Sequence, residues 1–169
     1  MKRLFLVVAI ALMSIGYAAA QKNIVVDSEK IFRSINEYNT ALSTLDKEAK
    51  EYQAAVDAKF ADIEKLYNTY TQQKAQLPQS ERTRREQEIL SLERAATTYQ
   101  ESIFGADGVM MKRRIELIQP IQRRVFAAIE EYAKQNGVDI VLDKASNASL
   151  LYNSATADHT MQIISILSK

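Results

Sequence analysis

Cysteine and tryptophan are absent from the 169 residues; histidine occurs once, proline twice and glycine four times. Without cysteine there is no thiol nucleophile, disulfide scaffold, iron–sulfur site or zinc finger. A single histidine leaves only a carboxylate-only metal site open. So few glycines supply no phosphate-cradling loop, since neither GxGxxG nor GxxxxGK[ST] can be drawn through the chain. The sequence therefore predicts no cofactor, no metal and no enzymatic activity. Charge of one sign is lacking too, with 22 Lys and Arg against 21 Asp and Glu. The length suits one domain, and a 47% hydrophobic content argues against disorder.

The first twenty residues read as a signal peptide. Lys2 and Arg3 form a positive start, Leu4 to Ile15 a short apolar run, and Ala18-Ala19-Ala20 a small-residue cleavage site before Gln21. The run is short for a membrane span, and nothing later is apolar enough for one. No cysteine follows to carry a lipid. The expected mature protein is residues 21–169, exported and soluble, with 20 basic and 21 acidic groups.

Most of that chain is helical in pattern. Tyr38, Leu42, Leu45, Ala49, Tyr52, Val56, Lys59, Ile63, Leu66 and Tyr70 alternate steps of four and three, the period of a coiled-coil seam. No Gly or Pro interrupts Glu37 to Leu77, so this helix should run roughly 60 Å before Pro78 stops it. Ser80 offers an N-cap for a returning helix. Its seam is Ile89, Leu92, Ala96, Tyr99, Ile103, Ala106 and Met110, then, in a shifted register, Ile115 to Tyr132. Two such seams about one short turn predict an antiparallel hairpin over residues 37–136 with its tip near 77–80. Gly105 and Gly108 lie inside the returning helix, Pro120 should kink it, and Gly137 suits its end.

The ends differ. Residues 22–26 and 138–142 are short, β-branched strands, and Ser149 to Tyr152 reads as a third after a turn at Lys144 to Asn147. Asp158 can cap a last helix running to Leu167. Residues 21–36 and 137–169 would thus build a small β-containing body, giving an α+β fold with a helical arm. A body of that size is marginal alone and its strand edges need covering, so a homo-oligomer is expected. Its oligomerisation residues would be Ile24, Val26, Phe32, Ile140, Leu142, Leu150 and Tyr152. The alternative is an elongated monomer or dimer whose coiled coil is a spacer.

Taken in order, these features carry a family resemblance. Ile24 to Phe32 after a cleaved signal, the long charged hairpin, Asn136-Gly137-Val138-Asp139-Ile140-Val141-Leu142-Asp143, Leu150-Leu151-Tyr152 and Asp158-His159-Thr160 before an apolar helix resemble the Skp (OmpH-like) periplasmic chaperones. The resemblance spans essentially all of 21–169. It implies a jellyfish-like homotrimer: strands of three subunits form the body, and three arms enclose a cavity for unfolded outer-membrane proteins. Two departures stand out: the mature chain is near neutral where better-known members are strongly basic, and His159 replaces a usual aliphatic residue.

A chaperone without nucleotide must bind many sequences weakly, which favours Tyr, Met and flexible charged side chains over a shaped pocket. The expected contact residues are Tyr67, Tyr70, Tyr99 and Met110, with Arg82, Arg84 and Arg85 near the tip; Tyr52 and Met111 are of the same kind. Seam packing is the simpler account of the Tyr and Met positions, except Tyr67, which lies off the seam. The arginines stand among Glu81, Glu86 and Glu88, so a self-compensated solvated face competes with an anion site or weak membrane-surface contact. Lys112-Arg113-Arg114 and Arg123-Arg124 read as solvated patches, and no nucleic-acid partner is expected. Gly105 to Gly108 is either a hinge or a close-packing point. With no second histidine and no nucleophile pattern, His159 has no expected catalytic role. The competing function is a structural or adaptor coiled coil of the cell envelope.

Overall fold

The computed structural model describes residues 21–146 and 149–168. The expected signal peptide lies outside them. The chain opens with strand β1 (Asn23–Val26) and helix α1 (Ser28–Arg33). Asp27 caps α1, its Oδ1 accepting from the Lys30 N–H at 2.9 Å. Helix α2 (Asn36–Gln73) follows, 38 residues or about 57 Å long. A 3₁₀ turn at Lys74–Gln76 and Pro78 end it, and the return begins with α3 (Gln79–Phe104). Pro78, not Ser80, occupies the N-cap.

The returning limb is two helices, not one. After a break at residues 105–108 it resumes as α4 (Val109–Gln135), which continues through Pro120. Both glycines are needed there by space. A Cβ on Gly105 would stand 2.4 Å from the Glu101 carbonyl oxygen, and one on Gly108 2.5 Å from that of Ile103. Gly137, at φ +59°, then turns the chain out of α4, a conformation that side chains with a Cβ avoid.

Strand β2 (Ile140–Asp143) pairs parallel with β1, in the register Asn23↔Ile140 through Val26↔Asp143. The whole arm is thus the crossover of one β-arm-β unit. The expected third strand is not formed: residues 150–152 lie in no strand, and Leu151 and Tyr152 are 94% and 83% exposed. The other edge of β1 is taken further along the chain. Val25 N–H donates to the Ala157 carbonyl at 2.8 Å, and His159 N–H to the Val25 carbonyl at 2.9 Å. Side-chain bonds of Asp158 fix that contact, as described below. Helix α5 (Thr160–Leu167) closes the chain.

Two cores hold this architecture. In the body, Ile24, Val26, Ile31, Ile35 and Ile163 pack with Ala41 from the foot of α2 and Ile118, Ile121 and Val125 from α4. Complete burial of Ile31, Val125 and Ile163 is worth about 2 kcal/mol each. The arm has a thinner core of Ile63, Tyr70, Ile89 and Ala96.

Candidate functional site

The arm closes only half of its seam. In α2 the buried positions Val56, Ile63 and Tyr70 are seven residues apart, as are Ile89, Ala96 and Ile103 of α3. The intervening seam residues Leu66 and Leu92 stay exposed. They rim a shallow groove with Lys59, Asp62 and Ala95 between the two helices. Phe60 and Tyr67, again seven apart, lie on the opposite flank of Ile63 by helical geometry, and both are exposed.

A larger groove, about 510 Å³ and mostly apolar, lies where the returning limb breaks. Leu42 and Leu45 of α2 form one wall; Phe104, Met110 and Met111 form the other, with Arg114 at its rim. The limb break borders this space, Gly105 and Ala106 being among its lining residues. Beyond Met111 the same face of α4 carries exposed Ile115 and, further along, Phe126, which is 60% exposed. Gln119 and Gln122 lie on the same face by helical spacing.

The expected contact residues separate into two groups. Tyr67 is 54% exposed and Met110 lines the large groove. Tyr99 is half-buried under the Lys59 ammonium, 4.9 Å from its ring centre. Tyr70, by contrast, is 4% exposed. Its hydroxyl donates to Glu86, and the Lys74 Nζ sits 5.3 Å from its ring. Burial, then the Glu86 carboxylate, push the Tyr70 phenol above the usual tyrosine range.

The tip arginines are engaged by the tip itself. Arg82 Nε donates to the Leu77 carbonyl at 2.8 Å and so ties the turn shut. Arg84 grips Glu81 with two bonds of 3.0 and 2.6 Å, and Arg85 bonds Glu81 at 3.2 Å and Gln73 at 2.8 Å. Hydrogen bonds from Arg84, then Arg85, hold the Glu81 carboxyl at about 2. Arg113 is likewise shared between Glu48 and Glu116, and Arg124 reaches Glu37 at 3.5 Å.

Of the body residues, Ile24 and Val26 are buried within the chain and Phe32 packs against the core, 5.2 Å from Tyr38 ring to ring. Leu142 and Leu150 are half-buried, and Ile140 is 41% exposed on β2. Ile140, Leu151, Tyr152 and Met161 leave substantial apolar area uncovered around the body.

Sequence reasoning missed a polar network that locks the body. Asp143 accepts four bonds: from Ser28 N–H at 3.0 Å, Ser28 Oγ at 2.6 Å, Ala145 N–H at 3.0 Å and Ser146 Oγ at 2.7 Å. Asp158 accepts from Thr160 N–H at 3.0 Å and Thr160 Oγ1 at 2.5 Å, and pairs with Lys144 Nζ at 2.7 Å. Thr160 Oγ1 in turn accepts from Asp27 N–H at 2.9 Å. Burial opposes ionisation of both aspartates. The donors to Asp143 (chiefly Ser28 and Ser146), and Lys144 with Thr160 at Asp158, outweigh it and hold each carboxyl at about 2. His159 Nδ1 meets the Tyr132 hydroxyl at 2.5 Å and links the start of α5 to α4. A signal existed in the sequence: Asp27 follows a strand-like run, Asp143 ends one just before a turn, and Asp158 stands just before the last helix.

Nothing in this arrangement gathers reactive groups. Among the described residues no cluster of three or more His, Asp or Glu is placed to hold a metal, and no helix is long and apolar enough to cross a membrane. The recognisable features are a strand-paired body, a long hairpin whose outgoing helix has 38 residues, and incompletely covered apolar faces. The profile of one protein family, outer membrane protein (OmpH-like), matches residues 22–167. The chain belongs to the OmpH-like family. That family is the Skp/OmpH group of periplasmic chaperones for outer-membrane proteins, and it is not enzymatic. No curated protein matches the chain. The match includes both ends of the OmpH-like chain that form the body as well as the arm between them.

Proposed function

We propose that this OmpH-like protein is an ATP-independent periplasmic holdase that keeps unfolded outer-membrane β-barrel proteins from aggregating. The observation that carries the reading is the half-closed arm: Leu66, Leu92, Phe60 and Tyr67 stay exposed along it. The groove at the limb break adds further apolar surface, as do exposed Met111, Ile115 and Phe126 along α4, with Gln119 and Gln122 between the last two. Such a surface offers many weak, adaptable contacts and no fixed pocket, as a binder of varied unfolded chains requires. Tyr67, Tyr99 and Met110 belong to this contact surface. Tyr70 and the tip arginines serve the arm's own structure, because each already has partners within it.

In this reading the mature chain begins at Gln21 and assembles as a homotrimer through its body. The outer edge of β2 and the bare Leu151, Tyr152 and Ile140 side chains supply the apolar surface and strand edge that neighbours would cover. Three arms then surround a space for the client, which leaves when it folds into the membrane. Balanced charge in the arm, 5 basic and 7 acidic groups over residues 37–77 and 10 and 9 over 78–136, argues for apolar contact over capture of acidic lipid.

Light-scattering mass of residues 21–169, with and without a urea-diluted outer-membrane barrel protein, tests this. A mass of three subunits that gains one client and stays clear is expected. A monomer or dimer that lets the client aggregate refutes it and leaves an envelope adaptor as the better account. Phe126→Ser with Ile115→Ser should keep the assembly mass and weaken client holding about tenfold or more. Ile140→Asp should dissociate the assembly; an unchanged mass would exclude that edge from the interface.

A further inference from the structure

Resting on the proposed leader cleavage, we propose that Gln21 is a modification site: the new N-terminal glutamine cyclises to pyroglutamate. The α-amino nitrogen of Gln21 attacks its own side-chain carboxamide carbon, Cδ. A ring C–N bond forms, the Cδ–Nε2 bond breaks, and the nitrogen leaves as ammonia carrying the proton lost by the amine. The exchange needs no oxidant, reductant or co-reactant, only a catalyst that can reach the terminal residue.

Among the described residues Gln21 has no bonded partner, and the chain immediately after it is fixed. Lys22 N–H donates to Asp139 Oδ2 at 2.8 Å, and its carbonyl accepts from Asp139 N–H at 2.9 Å. The Lys22 Nζ also donates to the Asn136 carbonyl at 3.0 Å. Residue 22 is therefore held on both sides by the loop that leads into β2. Gln21 is exposed, belongs to no helix or strand, and makes no bond to any described residue. Once the leader is gone, its amine and carboxamide can close the ring without breaking a contact to any described residue, and its exposure leaves it open to a glutaminyl cyclase. Cyclisation removes a positive charge from the base of the body and closes the chain to aminopeptidases.

The test uses the full precursor, exported by a bacterial host and purified from the periplasm, read by intact mass and N-terminal peptide sequencing. The expected product lacks about 17 Da, one ammonia, relative to residues 21–169, either as purified or completely after incubation with glutaminyl cyclase. Pyroglutamyl peptidase should then expose Lys22, and Gln21→Ala should be cleaved at the same place without the mass loss. A free Gln21 that resists the cyclase overturns the proposal and leaves the export reading intact. A chain that keeps its leader, or starts at another residue, overturns the leader reading and this proposal with it.

Discussion

Replacing Asp143 with asparagine tests how the body is held. The carboxylate satisfies two backbone N–H groups, of Ser28 and Ala145, and two hydroxyls, all within 3.0 Å. Asparagine keeps one acceptor oxygen, loses the charge and puts an amide donor where a donor already points. Hydrogen bonds to a charged group are worth about 1.5–3 kcal/mol each when buried, and the serine hydroxyls can turn to water, so a net loss of about 1–2 kcal/mol is expected. The pH dependence gives an independent figure. With its carboxyl held at about 2 against an ordinary value of 3.8, Asp143 contributes an upper limit of roughly 2.5 kcal/mol, reduced to about 1–2 by solvent screening at this partly exposed site. Because the folded-state value is depressed, that contribution is complete above about pH 4 and is lost as pH falls through about 2. Urea unfolding followed by circular dichroism, at one fixed protomer concentration, should therefore separate wild type from Asp143→Asn at pH 7 and bring them together near pH 2. Equal midpoints at pH 7, or a gap that persists undiminished at pH 2, would refute the assignment of the network to body stability.

Three further outcomes follow from the same geometry. Ile163→Ala removes a fully buried side chain where α5 meets the body core and should cost about 3 kcal/mol, read as a lower urea midpoint. Gly105→Ala must displace backbone, since its Cβ would fall 2.4 Å from the Glu101 oxygen; its thermal midpoint should drop and hydrogen exchange should rise in residues 101–110. Tyr70→Phe should remove a phenol that titrates above the usual tyrosine range from an alkaline absorbance titration of the folded protein, because burial and then the Glu86 carboxylate raise that group.

The arm was legible in the sequence because its signal is repeated. A 4–3 spacing over ten positions, bounded by Pro78, leaves one solution, and the tip falls where the proline does. The limb break was harder. Gly105 and Gly108 have ordinary negative φ, and what demands glycine is a carbonyl approaching from the preceding turn, which only coordinates reveal. The third strand failed for a related reason. Leu150-Leu151-Tyr152 has strand-like residues, but the edge of β1 that it would need is held by Ala157 to His159 through polar bonds at Asp158. Apolar pattern gives no hint of that competition. Tyr70 and Leu66 show the same limit: both are seam positions at identical spacing, yet one is buried and the other exposed, because the helices meet along only one line of the seam.

That single line of contact connects stability to the proposed activity. Closing the seam over Leu66 and Leu92 would add on the order of 1–2 kcal/mol for each side chain taken from water. The arm forgoes this, and its integrity comes instead from its two ends. At the tip Arg82 ties the turn and Tyr70 bonds Glu86 across it; at the foot Ala41, Ile118, Ile121 and Val125 are anchored in the body core. A hairpin fixed at both ends needs only a thin zip between them, so its flanks remain available to an unfolded chain. In the proposed holdase activity, binding there would recover the apolar burial that the arm left unmade, a little at each contact, so that release could follow from the client's own folding without fuel.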